Sequence, residues 1–182
     1  PEEPDGYAAA LYSSGAFDWA EITEEDILRN NTYIANAKRE ELLRSHVDYD
    51  SYLESLEMRG EILQVDENNK SRFVQLINKS NQFNLTTRRI TEKAVQQMME
   101  DSKYDLLAVY LQDKFSYYGN IACVILKQNN NRLEIDTYVM SCRVLKRGLE
   151  SYILSFIVKR AKERNCDSIV GEYIKTERNG MV

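Results

Sequence analysis

The chain has 182 residues, of which 43% are hydrophobic and 29% are charged, and its formal net charge is −5. This length suits one domain of ordinary size with an appendage, and the apolar fraction is enough to build a core. No stretch approaches the roughly 20 consecutive apolar residues of a membrane-spanning helix, which argues against a membrane protein. The acidic balance disfavours a general nucleic-acid binder. The polar first residues show no signal peptide, so we expect a cytoplasmic protein.

The chain contains three cysteines, Cys123, Cys142 and Cys166, and one histidine, His46. An odd number of cysteines without paired spacing argues against a disulfide framework and against a zinc site. One histidine cannot build a histidine-rich metal site by itself. These residues predict a protein of a reducing compartment that binds no metal.

The first part of the chain has helical periodicity. The apolar spacing predicts one helix over residues 5–12, a second that begins at a cap on Thr23, and a third over residues 49–56. The sequence Asp48-Tyr49-Asp50 does not follow an apolar strand. It is therefore interpreted as a helix start with an N-cap, and not as a catalytic motif. We predict a helical linker over residues 1–59.

Beyond Gly60 the pattern becomes rich in strand-forming residues. A short strand is followed by two helices, one around Phe73 and one capped by Thr91. Three apolar runs then precede a long amphipathic helix that begins at Leu149, and a last strand follows it. The predicted strands cover residues 61–65, 106–111, 121–126, 133–140 and 168–174.

The connections between these strands predict how they pair. Short turns make the three central strands antiparallel neighbours, and the long helix permits a crossover to a parallel last strand. In the run 133–140, strict alternation places Leu133, Ile135, Thr137 and Val139 on one face of the sheet.

This order of elements is similar to that of the GNAT acetyltransferase fold up to its fifth strand. The resemblance implies an α/β (α+β) domain over residues 60–182, with a mixed, mostly antiparallel sheet flanked by helices. The chain stops where the last helix of that fold would begin, and the sequence from Asn179 onward resembles the opening of that helix.

Residues 143–148 lie between the alternating strand and the long helix. Backbone N–H groups and the positive end of a helix dipole meet there, which suits a diphosphate. The run resembles the GNAT pyrophosphate loop, although Lys146 replaces its first glycine. The alternative is a basic helix start with a glycine-containing turn. The residues predicted to hold phosphopantetheine or coenzyme A are Met140, Cys142, Arg143, Lys146, Arg147, Gly148 and Leu149.

A second resemblance extends over nearly the whole chain. The run 78–89, Asn-Lys-Ser-Asn-Gln-Phe-Asn-Leu-Thr-Thr-Arg-Arg, resembles a signature of FkbH-like proteins of HAD superfamily subfamily IIIC, and so do residues 134–137, 140–145 and 171–174. The resemblance implies a full-length enzyme whose N-terminal HAD domain lies upstream of Pro1. Such an enzyme loads a glyceryl unit from bisphosphoglycerate onto an acyl carrier protein, for extender units such as methoxymalonyl-carrier protein in polyketide biosynthesis. The implied partners are the carrier protein and the HAD domain.

Several polar residues are candidates for the remaining site. Glu172 is predicted to be a general base or, alternatively, an edge carboxylate paired with Arg or Lys. Cys142 has no histidine to activate it, so a small buried thiol is favoured over a nucleophile. The candidate substrate-binding residues are Asn81, Gln82, Asn84, Arg88 and Asn179, with capping and turn formation as the alternative role of the asparagines.

Three functions follow from these patterns. The first is a module of an FkbH-like enzyme that binds the phosphopantetheine arm of a carrier protein. The second is an independent acyl-CoA-dependent acyltransferase, and the third is a structural or dimerisation module. Because no HAD nucleophile motif is present, we expect this chain alone to lack glyceryl-transfer and phosphatase activity.

Overall fold

The computed structural model describes residues 6–14 and 24–180, which belong to two compact units, 1–45 and 46–182. The first unit contains the helices α1 (Tyr7–Ser13) and α2 (Glu24–Ser45). Both were predicted, but the predicted cap Thr23 lies outside the described residues. No helix in the described ranges is long and apolar enough to cross a membrane.

The second unit opens with helix α3 (Tyr49–Ser55). The carboxylate of Asp48 accepts hydrogen bonds from the backbone amide of Ser51 at 2.8 Å and from its hydroxyl at 2.7 Å. Asp48 is therefore the N-cap, as the sequence predicted. Leu56 follows the helix and is fully buried, and its carbonyl accepts a hydrogen bond from the amide of Lys114 at 3.0 Å. The residue that ends α3 is thus hydrogen-bonded to the turn that follows β3.

The described part of the second unit contains a six-stranded mixed sheet. The strands follow the order β1-β3-β4-β5-β2, and β6 also pairs with β5. All pairs are antiparallel except β5 with β6, which confirms the predicted pairing of the central strands and of the last strand. The strands are β1 (Arg59–Gln64), β2 (Phe83–Asn84), β3 (Tyr104–Gln112), β4 (Tyr117–Asn129), β5 (Arg132–Met140) and β6 (Ser168–Gly171).

Helices cover both faces of this sheet. On one face lie α4 (Lys70–Lys79) and α5 (Glu92–Glu100), whose buried residues pack against Leu106, Ala108 and Val139. On the other face lies α6 (Leu149–Glu163), which packs against the alternate residues of the same strands. Thr91 accepts a hydrogen bond from the amide of Ala94 at 3.2 Å and caps α5 as predicted.

The strand β5 does not alternate as the sequence predicted. Ile125 pairs with Thr137 while Leu126 pairs with Ile135, so Asp136 is an extra residue in β5. Such a bulge shifts every following side chain to the opposite face. Ile135 consequently packs on the α6 side, whereas Val139 packs on the side of α4 and α5. The prediction of one continuous face was wrong for this reason.

A buried charge cluster fixes the far end of α6 to the sheet. Asp105 of β3 accepts hydrogen bonds from Arg164 Nε at 2.8 Å, from Arg160 Nη2 at 3.3 Å and from Gln64 Nε2 at 3.1 Å. Burial by itself would raise the pKa of Asp105, but the hydrogen bonds from Arg164 and Gln64 and the charges of both arginines outweigh it and lower the pKa. These contacts therefore hold the C-terminal end of α6 against β3.

Candidate functional site

The strands β5 and β6 separate within the sheet and leave a groove between them. Their parallel pairing ends at Ile135 and Gly171, beside the bulge at Asp136. Beyond the bulge, β2 pairs with the outer edge of β5, since Phe83 is opposite Met140 and Asn84 is opposite Val139. The backbone of β5 at these positions is therefore not free to pair with a ligand.

Residues 80–88, which we call the wedge segment, fill the groove and contact both of its sides. Toward β5, the amide of Leu85 donates to the carbonyl of Tyr138 at 3.1 Å. Toward the chain after β6, the carbonyl of Leu85 accepts from the amide of Ile174 at 2.8 Å. The wedge segment therefore lies between the two diverging chains as a strand would.

Two asparagines hold the wedge segment from inside the protein. Asn84 and Asn179 are both fully buried. Asn84 donates to the carbonyl of Ser80 at 3.0 Å and accepts from the amide of Thr87 at 2.8 Å. Asn179 donates to the carbonyls of Asn84 at 3.0 Å and Ile174 at 2.8 Å. Their amides bond to backbone groups, as in the capping alternative, and neither side chain is exposed to a ligand.

Arg88 closes the surface of the same groove. Its guanidinium lies 2.6 Å from a carboxylate oxygen of Glu172 and 3.5 Å from one of Asp136. Glu172 follows β6 and is not part of it, because the chain leaves β5 after Gly171. The last strand is thus shorter than predicted. Glu172 is in the ion pair that the sequence analysis gave as its alternative role.

The loop before α6 has the left-handed turns expected of a glycine-containing loop. Lys146 has φ +63° and Gly148, the N-cap of α6, has φ +80°. Glycine adopts this conformation without steric cost, whereas lysine adopts it only at a steric cost. The amide of Lys146 donates to a carboxylate oxygen of Glu150 at 2.9 Å. A carboxylate of the protein itself therefore occupies the position at which this loop would donate to a bound anion.

The basic side chains of this loop have different surroundings. Arg147 donates to the hydroxyl of Tyr118 at 2.6 Å, and Tyr118 donates to the buried carboxylate of Asp113 at 2.9 Å. Arg147 thus ties the loop to the turn between β3 and β4. Arg143 is exposed and donates to the Ser141 hydroxyl at 3.3 Å, and the exposed Lys146 adds a second cation. Leu149 is buried in the core beneath.

A cavity of about 370 Å³ opens at the end of β5. Two cations of α4, Arg72 and Lys79, lie at this cavity together with Cys142, whose thiol is exposed. The prediction of a buried Cys142 was wrong, because the strand ends at Met140 and Cys142 lies in a short 3-10 turn outside the sheet. The residues that line the cavity are Arg72, Gln75, Leu76, Lys79, Ser80, Asn81, Gln82, Met140, Ser141 and Cys142.

Of the residues that line this cavity, Asn81, Gln82, Met140 and Cys142 were predicted site residues, whereas the two cations were not predicted. Arg72 and Lys79 lie two turns apart on α4, so their spacing was the available signal. Asn81 accepts a hydrogen bond from Arg89 at 2.6 Å, which orients its side chain. The cavity and the wedge segment share residues 80–82, so the cavity adjoins the start of the wedge segment.

In this conformation, groups of the protein itself occupy the places predicted for coenzyme A. Its pantetheine arm would need the backbone edge that the wedge segment occupies. Its diphosphate would meet the Glu150 carboxylate at the start of α6 and a loop whose Arg147 already contacts Tyr118. The wedge segment fills the groove, and the cavity beside the start of this segment is open.

No protein-family model and no curated protein matches the sequence. Solved structures do match it. The chain is similar to aminoglycoside antibiotic 6'-N-acetyltransferase AAC(6')-Ih from Acinetobacter baumannii, with 12% identity, a TM-score of 0.51, and coverage of 65% of this chain and 82% of that chain. Its similarity to AAC(6')-IG from Acinetobacter haemolyticus has 12% identity and a TM-score of 0.50, over 64% of this chain and 81% of that chain.

A third match is the ribosomal-protein-S18-alanine N-acetyltransferase from Escherichia coli, with 11% identity and a TM-score of 0.44, over 58% of this chain and 61% of that chain. The chain thus spans about three fifths of the length of that enzyme. Likeness at such identities shows the fold alone. The second unit has the GNAT acetyltransferase fold, a mixed sheet flanked by helices, as the sequence predicted.

Proposed function

We propose that this chain is an acyltransferase-fold module that recognises a phosphopantetheine arm presented by a carrier protein. The observation that carries the proposal is the cavity at the end of β5, where the exposed Cys142 turn meets Arg72 and Lys79. Its volume of about 370 Å³ lies within the range of small-molecule sites. An arm with one phosphodiester and an uncharged thioester matches cations beside an apolar floor of Leu76 and Met140.

A carrier-bound arm suits this chain better than free coenzyme A does. Coenzyme A carries a diphosphate, which needs free donors in the loop before α6. There, the Lys146 amide is bonded to Glu150, and Arg147 is bonded to Tyr118. A carrier-bound arm has a single phosphodiester and makes less demand on this loop. Arg143 and Lys146, both exposed, remain available to an anionic group.

The FkbH-like resemblance supports the same proposal. The structural matches are acetyltransferases and give it no support of their own. In that setting the module serves an enzyme that loads a glyceryl unit onto an acyl carrier protein, with the carrier protein and an HAD domain as partners. Phosphate release from bisphosphoglycerate by this chain alone would contradict the assignment.

The second candidate is an independent acyl-CoA-dependent acyltransferase. The fold favours it, since the two structures with TM-scores of 0.51 and 0.50 are N-acetyltransferases. In this reading Glu172 would act as a general base, for which it must first leave its ion pair with Arg88.

Calorimetric titration separates the two candidates. The purified chain is titrated with a pantetheinylated carrier protein and with coenzyme A. The Arg72→Ala, Lys79→Ala double variant is compared with a Lys93→Ala, Lys162→Ala control, which removes two exposed lysines from α5 and α6. The contacts of Arg72 and Lys79 with the arm are exposed and contribute about 1 kcal/mol each. We therefore expect the double variant to bind the carrier about thirtyfold more weakly.

Other outcomes of the same titration would decide against the proposal. If the double variant and the control bind the carrier as the wild type does, the cavity is not the site. If coenzyme A binds tightly and an amine acceptor is acylated, the independent acyltransferase is correct. If neither ligand binds, the chain is a structural or dimerisation module.

A further inference from the structure

We infer that the wedge segment, residues 80–88, is an autoinhibitory strand that occupies the edge of β5 and leaves it when an extended, amide-bearing arm binds. The inference rests on the proposed recognition of pantetheine and adds a conformational requirement to it. In the closed state the cavity beside Cys142 is open next to the start of the wedge segment.

The wedge segment makes the contacts that a strand-like ligand would make. Its Leu85 amide donates to the carbonyl of Tyr138, and its Leu85 carbonyl accepts from the amide of Ile174. A pantetheine arm contains two amides in an extended chain, so it can replace these contacts by pairing with the same edge. An arm that enters the cavity meets residues 80–82, the beginning of the wedge segment.

The closed state carries identifiable costs. The regular pairing of β2 extends over only two residues. Thr87, a β-branched residue, has φ +54°, in the left-handed region that such residues avoid. The hydroxyls of Thr86 and Tyr138 are buried and have no hydrogen-bond partner. Burying a hydroxyl without a partner is unfavourable, and opening the segment would remove these costs.

The two anchors of the closed state differ in strength. Arg88 bridges Asp136 and Glu172 at the surface, where its side chain is 53% exposed and solvent weakens the ion pairs. Asn179 is fully buried and donates hydrogen bonds to the wedge segment at Asn84 and to the chain after β6 at Ile174. Removal of Arg88 therefore loosens the segment with little risk to folding, and removal of Asn179 loosens it further.

The test combines hydrogen exchange with binding of 4'-phosphopantetheine as the probe. Exchange at the amides of Leu85 and Ile174 is measured in the wild type, in Arg88→Ala, in Asn179→Ala and in the Lys93→Ala control. A larger open fraction lowers the apparent dissociation constant in proportion. We expect faster exchange at both amides and about tenfold tighter binding in Arg88→Ala, with the control unchanged. Thermal unfolding confirms that each variant is folded.

Three other outcomes would contradict the inference, and the last of them would also contradict the proposed function. If Arg88→Ala exchanges faster at Leu85 and Ile174 but binds the probe no tighter than the wild type, the wedge segment does not compete with the ligand and the inference is wrong. If the probe binds the wild type without changing exchange at these amides, the inference is also wrong, while the proposed function stands. If no variant with an open segment binds the probe, the pantetheine assignment fails and the inference fails with it.

Discussion

Replacing Asp105 by Asn should destabilise the second unit strongly. The side chain of Asp105 is 5% exposed and faces two arginines, whereas those of Arg160 and Arg164 are 30% and 20% exposed. Breaking a buried ion pair costs about 3–5 kcal/mol. Because both arginines are partly open to water, we expect the lower limit, about 3 kcal/mol. With an m-value of about 1–3 kcal/mol per molar urea, the midpoint of unfolding should fall by about 1–3 M.

The pH dependence of this difference follows from the direction of the pKa shift. The folded-state pKa of Asp105 lies below its ordinary value of 3.8, because the hydrogen bonds and charges of the arginines outweigh the effect of burial. A lowered pKa contributes stability that is fully present above the unfolded pKa and is lost as the pH falls through the folded pKa. The difference between wild type and Asp105→Asn should therefore be constant from pH 7 to about pH 5 and shrink below about pH 4.

Urea titrations at several pH values, followed by circular dichroism, measure this difference. The matched control is Glu61→Gln, which neutralises an exposed carboxylate on β1. A midpoint for Asp105→Asn as high as that of the control would refute the reasoning. So would a difference that grows as the pH falls.

Three other predictions follow from single positions. Thr87→Gly should relieve the left-handed backbone at φ +54° and stabilise the fold by about 1 kcal/mol, seen as a rise of about 3 °C in Tm; a fall in Tm would contradict it. Glu150→Gln removes the charge that faces the Lys146 amide and should tighten coenzyme A binding severalfold in calorimetry, whereas unchanged affinity would show that the loop is not an anion site. A thiol-specific reagent should modify the exposed Cys142 at once and Cys123 only on unfolding, since Cys123 is buried and burial raises the pKa of its thiol; rapid modification of Cys123 would refute this.

The predictable parts of the fold are those that depend on residues close to one another in the sequence. The strands β3 and β4 are apolar runs buried on both faces, and a short turn rich in asparagine, at residues 129–131, joins β4 to β5 as a hairpin. Thr91 and Asp48 are helix caps, whose function depends on residues three positions away. Such features depend on neighbours along the chain, so periodicity and capping rules identify them.

The missed parts depend on contacts between distant segments. The strand β2 has two residues and forms only because β5 leaves its edge open at Val139 and Met140. The bulge at Asp136 has no signal in the alternating pattern, which stays regular through it. The cavity brings α4 beside Cys142, and no local rule joins residues so far apart. Site geometry was for this reason less predictable than element order.

At the loop before α6 and at the edge of β5, a group of the protein itself takes the place of a ligand. The effects of these two groups on binding can be measured separately. At the loop, the Glu150 carboxylate takes the place of a ligand anion, and at the edge, the wedge segment takes the place of an extended arm. The two substitutes have no residue in common, so their contributions should add. A double-mutant cycle with Glu150→Gln and Arg88→Ala should therefore show coenzyme A affinity rising by the product of the two single effects. 4'-Phosphopantetheine, which lacks the diphosphate, should respond mainly to Arg88→Ala. A gain for 4'-phosphopantetheine from Glu150→Gln as large as that for coenzyme A would show that the loop and the edge do not act separately.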